Sequence, residues 1–247
     1  MKPAIQVDNL AIKYRRYLRK TTTLKDAVID LFQGSQFESF WALRDISLTV
    51  PKGERLGVIG RNGCGKTTLL RAMAGILPPE SGTVTVDGSL VPLLSIAGGF
   101  QTRLTGRENA FFNGAMMGLS TAEMEEKIPD IVEFAEIGDF IDSPLSTYSS
   151  GMRARLGFAV ATNINPEILL LDEVFAVGDE VFQRKARKRV EAFFEAGRTV
   201  VMVSHSLNRI RDWCNRCVYI KDGLVAASGD PKDVIATYKD DNAESAA

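Results

Sequence analysis

A glycine-rich segment narrows the possible folds of this chain more than any other part of its sequence. Residues 60–68 read GRNGCGKTT, follow the strand-like run RLGVI (55–59) and precede helix-forming residues that begin near Lys66. Glycines allow successive backbone N–H groups to curl around phosphate oxygens, a lysine neutralises the β and γ phosphates, and the Thr67 hydroxyl can bind Mg²⁺. This order predicts a nucleoside triphosphate site on an α/β fold. The residues expected to bind the nucleotide are Gly60, Asn62, Gly63, Cys64, Gly65, Lys66, Thr67 and Thr68.

Strand and helix patterns alternate along the rest of the chain, without internal repeats. Residues 5–7, 42–50 and 82–88 have strand character, and residues 107–158 have apolar positions at helical spacing. Residues 168–171 and 199–203 are short, wholly apolar runs. Such runs are typical of parallel strands that are buried on both faces of a sheet, so we expect a parallel central sheet.

The overall charge excludes a general attraction to nucleic acid or to an anionic membrane. The 247 residues carry 30 Lys and Arg against 31 Asp and Glu, a net charge of −1. The basic run 184–189 contains no aromatic residue, so it is interpreted as a solvated helix face and no nucleic-acid partner is expected.

Targeting signals and a disulfide framework are not evident. No run approaches the roughly 18 apolar residues of a membrane span, and the start, MKPAIQVDNL, lacks a signal-peptide pattern. We therefore expect a chain that is neither secreted nor membrane-spanning. Three cysteines fit a reducing compartment, and Cys214 and Cys217 have no second Cys or His pair that could complete a zinc site.

A pair of carboxylates follows one of the apolar runs. Asp172 and Glu173 come directly after residues 169–171. Next to a phosphate loop, Asp172 is expected to hold the Mg²⁺ shell, and Glu173 is placed to polarise the attacking water as a general base.

Two further polar segments are candidates for contact with an anion. Ser149 or Ser150 can cap a helix that begins near Gly151, and a helix N-terminus suits an anion, although an ordinary cap is the alternative. His205, the single histidine, follows the apolar run 199–203. A lone histidine is usually structural, but the carboxyl end of a central strand is where α/β sheets bind ligands.

Five motifs together carry a family resemblance over almost the whole chain. GRNGCGKTT, YSSGM, LLLLDE, AVGD and VSHS, in this order and spacing, resemble the ATP-binding subunit of an ABC transporter. YSSGM resembles the signature motif, usually LSGGQ, with Tyr148 for Leu, Ser150 for the first Gly and Met152 for Gln. Together with AGGFQTRLTGREN and DEVFAVGD, it resembles the branch that exports capsule, O-antigen or teichoic-acid polysaccharides.

The resemblance implies roles for residues outside the phosphate loop. Gln101 resembles the glutamine that reaches the metal and the nucleotide, and would complete a Mg²⁺ site with Thr67 and Asp172. His205 resembles the switch histidine that contacts the γ-phosphate. Asp179 and the Ser149, Ser150 and Gly151 stretch would bind ATP across a head-to-tail homodimer. The aromatic residue that stacks on adenine matches Tyr14 best, with Tyr17 and Trp41 as alternatives.

The resemblance also implies an architecture and a cellular place. The fold would be a RecA-like α/β core with a small antiparallel β portion (1–100 and 158–238) and an inserted helical signature subdomain (101–157). The tail (239–247) is polar and acidic, and its composition predicts that it is frayed. The subunit would hydrolyse ATP at the cytoplasmic face of the inner membrane and drive a separate permease, which contacts the glycan. Import, or remodelling of nucleic acid or protein complexes by a soluble ABC ATPase, are the alternatives.

One segment is longer than a simple cassette needs. From Thr21 to Phe32, apolar residues repeat at helical spacing after a run of threonines, which predicts an amphipathic helix. It could pack on its own domain, or it could contact the membrane subunit or the bilayer surface.

Overall fold

The described part of the chain contains two β-sheets, seven α-helices and two short 3₁₀ helices (Gly138–Asp142 and Leu145–Thr147). The computed structural model describes residues 2–17, 37–94, 99–172 and 178–244. The strands are β1 (Ile5–Tyr17), β2 (Phe37–Val50), β3 (Arg55–Ile59), β4 (Ser81–Val86), β5 (Leu90–Leu93), β6 (Ile168–Asp172), β7 (Thr199–Val203), β8 (Arg216–Lys221) and β9 (Leu224–Gly229). The helices are α1 (Lys66–Met73), α2 (Gly106–Met116), α3 (Thr121–Ala135), α4 (Ser150–Asn163), α5 (Glu180–Glu195), α6 (Leu207–Trp213) and α7 (Pro231–Glu244).

The larger sheet has six strands in the order β5-β6-β7-β3-β8-β9. All neighbours are parallel except β8 and β9, which form an antiparallel pair. The two wholly apolar runs are confirmed as the central strands β6 and β7, whose apolar residues are buried because both faces of the sheet are covered. The carboxyl ends of β3, β6 and β7 therefore meet at one edge, where α/β sheets bind ligands.

The smaller sheet is antiparallel, in the order β2-β1-β4. The expected strands at 5–7 and 42–50 are confirmed, but both are longer than predicted, because β1 and β2 remain paired as far as Tyr17 and Phe37. Ile5 and Leu43 of this sheet are fully buried in the same apolar cluster as Leu69 of α1. This packing fixes the small sheet beside the phosphate loop.

The helical part, from α2 to α4, is joined to the core through aromatic rings. Phe134 of α3, Phe158 of α4 and Phe182 of α5 lie with ring centroids 5.6–6.0 Å apart. Edge-on and offset ring pairs of this kind stabilise packing beyond the area they bury. Helix α4 continues without a break from Ser150 to Asn163, across the position where the predicted subdomain ends.

The basic run on α5 is only partly solvated, so the expectation of a solvated face is wrong for two of its residues. Lys185 Nζ donates to the carbonyls of Glu133 and Phe134, at 3.2 and 3.0 Å, and pairs with Glu136 at 3.0 Å. The Arg189 guanidinium lies 4.5 Å from the centre of the Phe134 ring, and burial lowers its pKa. Lys185 turns back onto the end of α3, whose exposed carbonyls need donors. Arg189 lies against the Phe134 ring of the same helix.

The expectation of a frayed tail is wrong for residues 239–244, which continue helix α7. Lys221 holds Asp241 at 2.8 Å, and the rings of Tyr219 and Tyr238 meet edge-on at 5.2 Å. These tertiary contacts order a polar segment that has little apolar surface of its own. The predicted amphipathic helix from Thr21 to Phe32 lies outside the described residues. Among the helices that are described, none is long and apolar enough to cross a membrane.

Candidate functional site

The loop between β3 and α1 has the backbone that its glycines predict. Gly60 and Gly65 have φ of 151° and 109°, a region that L side chains rarely adopt. A Cβ on Gly60 would lie 2.3 Å from the carbonyl oxygen of Ile220, and one on Gly65 would lie 2.6 Å from that of Ala42. Glycine is therefore required at both positions, because the loop passes directly over the neighbouring backbone.

Lys66, the first residue of α1, is held by this loop. Its Nζ donates to the carbonyls of Gly60 at 2.8 Å and Arg61 at 2.9 Å, and the residue is 8% exposed. A buried ammonium group is costly unless hydrogen bonds satisfy it, and the two carbonyls do so. The loop thus carries one fixed positive charge at its centre.

Thr67 connects the loop to the neighbouring strand. Its hydroxyl donates to Oδ2 of Asp172, the last residue of β6, over 2.7 Å. In the parallel register Asp172 pairs with Val203, so His205 follows two residues beyond the paired position. The hydroxyl lies in the first turn of α1, the carboxylate at the end of β6 and the imidazole just beyond the end of β7, so all three are at the same edge of the sheet.

These groups line one cavity of about 560 Å³, a size typical of ligand sites. Its lining residues are Asn62, Gly63, Gly65, Lys66, Thr67, Thr68, Asp172, Val203 and His205. The structure thus brings together most of the phosphate-site residues that the sequence predicts. Gln101, Asp179 and the Ser149–Gly151 stretch lie outside this lining set, and Glu173 lies outside the described residues.

A second cavity, of about 430 Å³, adjoins the first and shares Asn62 and Gly63 with it. Its lining residues are Phe40, Trp41, Ala42, Arg44, Arg61, Asn62, Gly63, Cys64, Asp222 and Gly223. Phe40 and Trp41 are 51% and 40% exposed, which is unusual for residues of this size. Two exposed aromatic rings next to a phosphate loop form a surface on which a planar base can stack.

Tyr14, the expected stacking residue, lies outside the lining of this cavity. Its ring packs against that of Phe40, with centroids 5.8 Å apart. Trp41, an alternative at the sequence level, lines the cavity, and Lys13 Nζ lies 5.0 Å from the centre of its ring. Sequence reasoning missed Phe40, although its place next to Trp41 was a signal that could have been used.

Ser149 is confirmed as a helix cap. Its hydroxyl accepts the N–H of Met152 at 3.1 Å, and Ser149 and Ser150 are both exposed. The preceding residue, Tyr148, is buried and donates from its hydroxyl to the carbonyl of Phe140 at 2.5 Å. The buried Tyr148 therefore anchors the exposed N-terminal end of α4 to the residues beneath it.

Asp179 and Gln101 are placed at the surface by neighbouring polar groups. Asp179 caps α5, accepting the N–H of Phe182 at 2.9 Å. The side chain of Gln101 is exposed, and its backbone is held by Asn109, which sequence reasoning missed. Both side chains lie at the surface and neither is packed in the core, although one Asp179 oxygen is engaged in the cap.

The three cysteines are reduced, and none belongs to a metal site within the described residues. Burial raises the pKa of Cys214 and of Cys217 to about 12, so both stay as neutral thiols at physiological pH. Burial also raises the pKa of Cys64 in the phosphate loop, against the opposing charge of Lys66.

A family model and two similar proteins all indicate the same protein family. The model of the family described as ABC transporter matches residues 43–176. The chain is 40% identical over 242 residues to the O-antigen export system ATP-binding protein RfbB of Klebsiella pneumoniae, covering 97% of this chain and 98% of that protein. It is 42% identical over 240 residues to the teichoic acids export ATP-binding protein TagH of Bacillus cereus, covering 97% of this chain but only 43% of that relative.

Two solved structures share the fold. One is a dimeric structure of the ATP-binding cassette MJ0796 bound to ADP and Pi, with a TM-score of 0.71 and 22% identity, covering 92% of this chain and 98% of that one. The other is an ATP binding subunit of an ABC transporter, with a TM-score of 0.74 and 20% identity, covering 96% and 93%. The RecA-like core with its antiparallel β portion is thus the fold of known cassettes.

Proposed function

Because the chain belongs to the ABC transporter family, we propose that it hydrolyses ATP to drive export of a lipid-linked cell-surface polysaccharide through a separate membrane permease. The observation that carries the ATPase role is the cavity that gathers Lys66, Thr67, Asp172 and His205 at one edge of the sheet. The polysaccharide rests on relatives whose names specify O-antigen or teichoic acid export, one of them covered over nearly its full length.

The cavity is suited to a triphosphate with its metal ion. Lys66 supplies the positive charge for the β and γ phosphates, and the glycine backbone supplies N–H donors. Thr67 and Asp172 present a hydroxyl and a carboxylate oxygen 2.7 Å apart, the hard oxygen ligands that Mg²⁺ prefers. When bound there, Mg²⁺ would neutralise charge on the phosphate oxygens, and Gln101 would add a ligand from the helical part.

Glu173 and His205 divide the remaining chemistry. Glu173 follows Asp172 directly and would accept a proton from the attacking water. His205 lines the cavity and would hold the γ-phosphate. Ser149, Ser150 and Asp179 lie outside the lining of this cavity, as expected if they serve the nucleotide of a second copy in a head-to-tail dimer.

The base of the nucleotide would lie in the second cavity. Tyr14 remains the candidate by its position in the family, whereas Trp41 and Phe40 line the cavity itself. Adenine bound there would stack on the face of an aromatic ring. A loss of ATP affinity in Trp41→Ala that exceeds the loss in Tyr14→Ala would assign the stacking role to Trp41.

The export role is tested in a strain that lacks this chain and accumulates lipid-linked glycan inside. Restored surface glycan with the wild-type chain, but not with Lys66→Ala, is the expected result, together with co-purification of the chain with the permease from inner membranes. Normal surface glycan in the deletion strain would refute the export role. Glycan uptake lost in that strain would favour import, and a change in DNA or protein complexes would favour the remodelling alternative.

A further inference from the structure

Asn109 is a buried polar residue that the phosphate chemistry leaves unused. It lies in the first turns of α2, is 0% exposed and is packed beside Ala110 in the apolar core. A side-chain amide in such a place is costly unless its donors and acceptor are paired. The partners of Asn109 therefore indicate what the residue does.

The amide of Asn109 binds both backbone polar groups of Gln101. Its Oδ1 accepts the Gln101 N–H at 2.7 Å, and its Nδ2 donates to the Gln101 carbonyl at 3.0 Å. Nδ2 also lies within donating distance of the Thr105 carbonyl, at 2.8 Å, and of the Leu104 carbonyl, at 3.3 Å. Since only the oxygen can accept and only the nitrogen can donate, these partners permit one orientation of the amide.

Asn109 is not needed to start its helix. Thr105 and Glu108 already form a reciprocal cap, in which the Thr105 hydroxyl accepts the Glu108 N–H at 3.1 Å and the Glu108 carboxylate accepts the Thr105 N–H at 2.8 Å. The bonds from Asn109 instead reach Gln101, eight positions earlier in the chain. Their effect is to fix the backbone of Gln101, which lies in the segment that precedes α2.

The segment that holds Gln101 is also joined to the approach to the signature helix. The Ser146 N–H donates to the Thr102 carbonyl at 2.8 Å, and the Leu145 N–H donates to the Leu104 carbonyl at 2.9 Å. Residues 145–147 form a short 3₁₀ turn just before Tyr148 and Ser149. Gln101 and Ser149 thus belong to one hydrogen-bonded unit of the helical part.

We propose that Asn109 is a positioning residue for ATP hydrolysis, which fixes the backbone of Gln101 so that its side chain is presented to the nucleotide in one geometry. The proposal rests on the role of Gln101 given under the proposed function. Without Asn109, the Gln101 N–H loses its partner and the Gln101 carbonyl keeps only the Leu104 N–H, at 3.1 Å. The residue is then freer to sample other backbone conformations.

The test compares Asn109→Ala with Asn113→Ala in the full chain. Asn113 is the same residue type one turn later, and its Nδ2 donates at 2.9 Å to the backbone of Asn109, not to Gln101. We expect hydrogen exchange of the Gln101 amide to become faster by on the order of tenfold in Asn109→Ala and to stay unchanged in Asn113→Ala. We also expect Asn109→Ala to lower kcat with little change in the KM for ATP. Unchanged exchange at Gln101, or an equal effect of both variants, overturns the proposal.

A double-mutant cycle with Gln101→Ala separates this proposal from the role of Gln101 itself. If Asn109 acts through Gln101, Asn109→Ala lowers kcat in the wild-type chain but adds no further loss to Gln101→Ala. An equal loss in both backgrounds overturns the positioning role while the role of Gln101 stands. A Gln101→Ala variant with wild-type kcat refutes the role of Gln101 and the proposal with it.

A second variant covers the case in which Asn109→Ala does not fold. Asn109→Asp keeps the size of the side chain and the acceptor for the Gln101 N–H but removes both donors. We expect it to protect the Gln101 amide more than Asn109→Ala does and still to lower kcat. Wild-type kcat in a folded Asn109→Asp, whose Gln101 carbonyl has lost the donor from residue 109, overturns the proposal.

Discussion

The hydroxyl of Thr67 lies 2.7 Å from Oδ2 of Asp172, and this contact joins the first turn of α1 to the end of β6. The two residues are far apart in the sequence and meet because β6 lies two strands from β3 in the parallel sheet. A hydroxyl and a carboxylate in contact at the mouth of a phosphate loop are placed to share one cation. The contact therefore joins the phosphate loop and the carboxylate at the end of β6 into a single site.

Replacing Asp172 by Asn removes the charge of this pair while keeping its shape. We expect ATP turnover to fall by on the order of 10²-fold and the Mg²⁺ concentration for half-maximal activity to rise. Thr67→Ser keeps the hydroxyl and serves as the control, with activity close to wild type. Steady-state ATPase assays over a Mg²⁺ series decide the matter, and wild-type turnover in Asp172→Asn would show that this carboxylate is not a metal ligand.

Glu173→Gln should abolish most turnover and spare ATP binding. The amide retains the size of the side chain but cannot accept the proton of water, so we expect a loss on the order of 10²-fold or more. ATP should then trap a dimer that is seen by size exclusion. Glu180→Gln, at the start of α5, is the control and should behave as wild type. Near-normal hydrolysis by Glu173→Gln would exclude Glu173 as the base.

Ser149 allows its capping role to be separated from a role in the dimer. Ser149→Ala loses the bond to the Met152 N–H and should cost about 1 kcal/mol of stability, with dimerisation retained. Ser149→Arg places a bulky cation at the helix end and should prevent the ATP-dependent dimer, while binding of ATP through Lys66 survives. Size exclusion with ATP, in the Glu173→Gln background, measures both. A normal dimer from Ser149→Arg would refute the head-to-tail arrangement and leave Ser149 a simple cap.

The parts of the fold that local patterns determine were predictable from the sequence. Wholly apolar runs predicted β6 and β7, and glycines followed by Lys66 predicted the loop. Because parallel strands end at the same edge, the meeting of Thr67, Asp172 and His205 also followed from the order of the motifs.

The rest depends on contacts between distant segments. The tail is polar, and its helix is held by the pair of Lys221 with Asp241, which no local pattern encodes. Likewise, the link from Asn109 to Gln101 joins a side chain to a backbone, and an asparagine in a helix pattern usually indicates a solvent-facing position. Propensity and periodicity do not carry such information.

The close contact between Gly106 and Tyr148 leads to a prediction about stability. A Cβ on Gly106 would lie 2.3 Å from the Tyr148 hydroxyl and 3.0 Å from the Ile141 carbonyl, so Gly106→Ala should cost about 1–3 kcal/mol by overpacking. Tyr148→Phe removes the hydroxyl and should restore part of that loss in the double variant. Urea unfolding of the four proteins measures the coupling. Additive losses would mean that the hydroxyl is not what Gly106 accommodates.

Stability should fall at alkaline pH because of Cys214 and Cys217. Each thiol has an ordinary pKa of 9.0 that burial raises to about 12 in the folded chain. A raised pKa means that the folded state keeps the proton that the unfolded state releases, so the stabilisation is complete below pH 9 and is lost as the pH rises towards 12. The free energy of unfolding should therefore decrease by up to about 1.4 kcal/mol per pH unit for each thiol in that range.

The double variant Cys214→Ala with Cys217→Ala isolates this effect. The double variant should be less stable at pH 8 because it leaves space in the core, but its free energy of unfolding should decline less steeply between pH 9 and 10. Burial raises the pKa of Cys64 as well, and that of Tyr148 to about 12, but both residues are present in the two proteins and cancel in the comparison.

Urea titrations under reducing conditions measure how the free energy of unfolding of each protein changes with pH. Parallel slopes would mean that the two buried thiols ionise as easily in the folded chain as in the unfolded one, against the burial that the fold imposes on them.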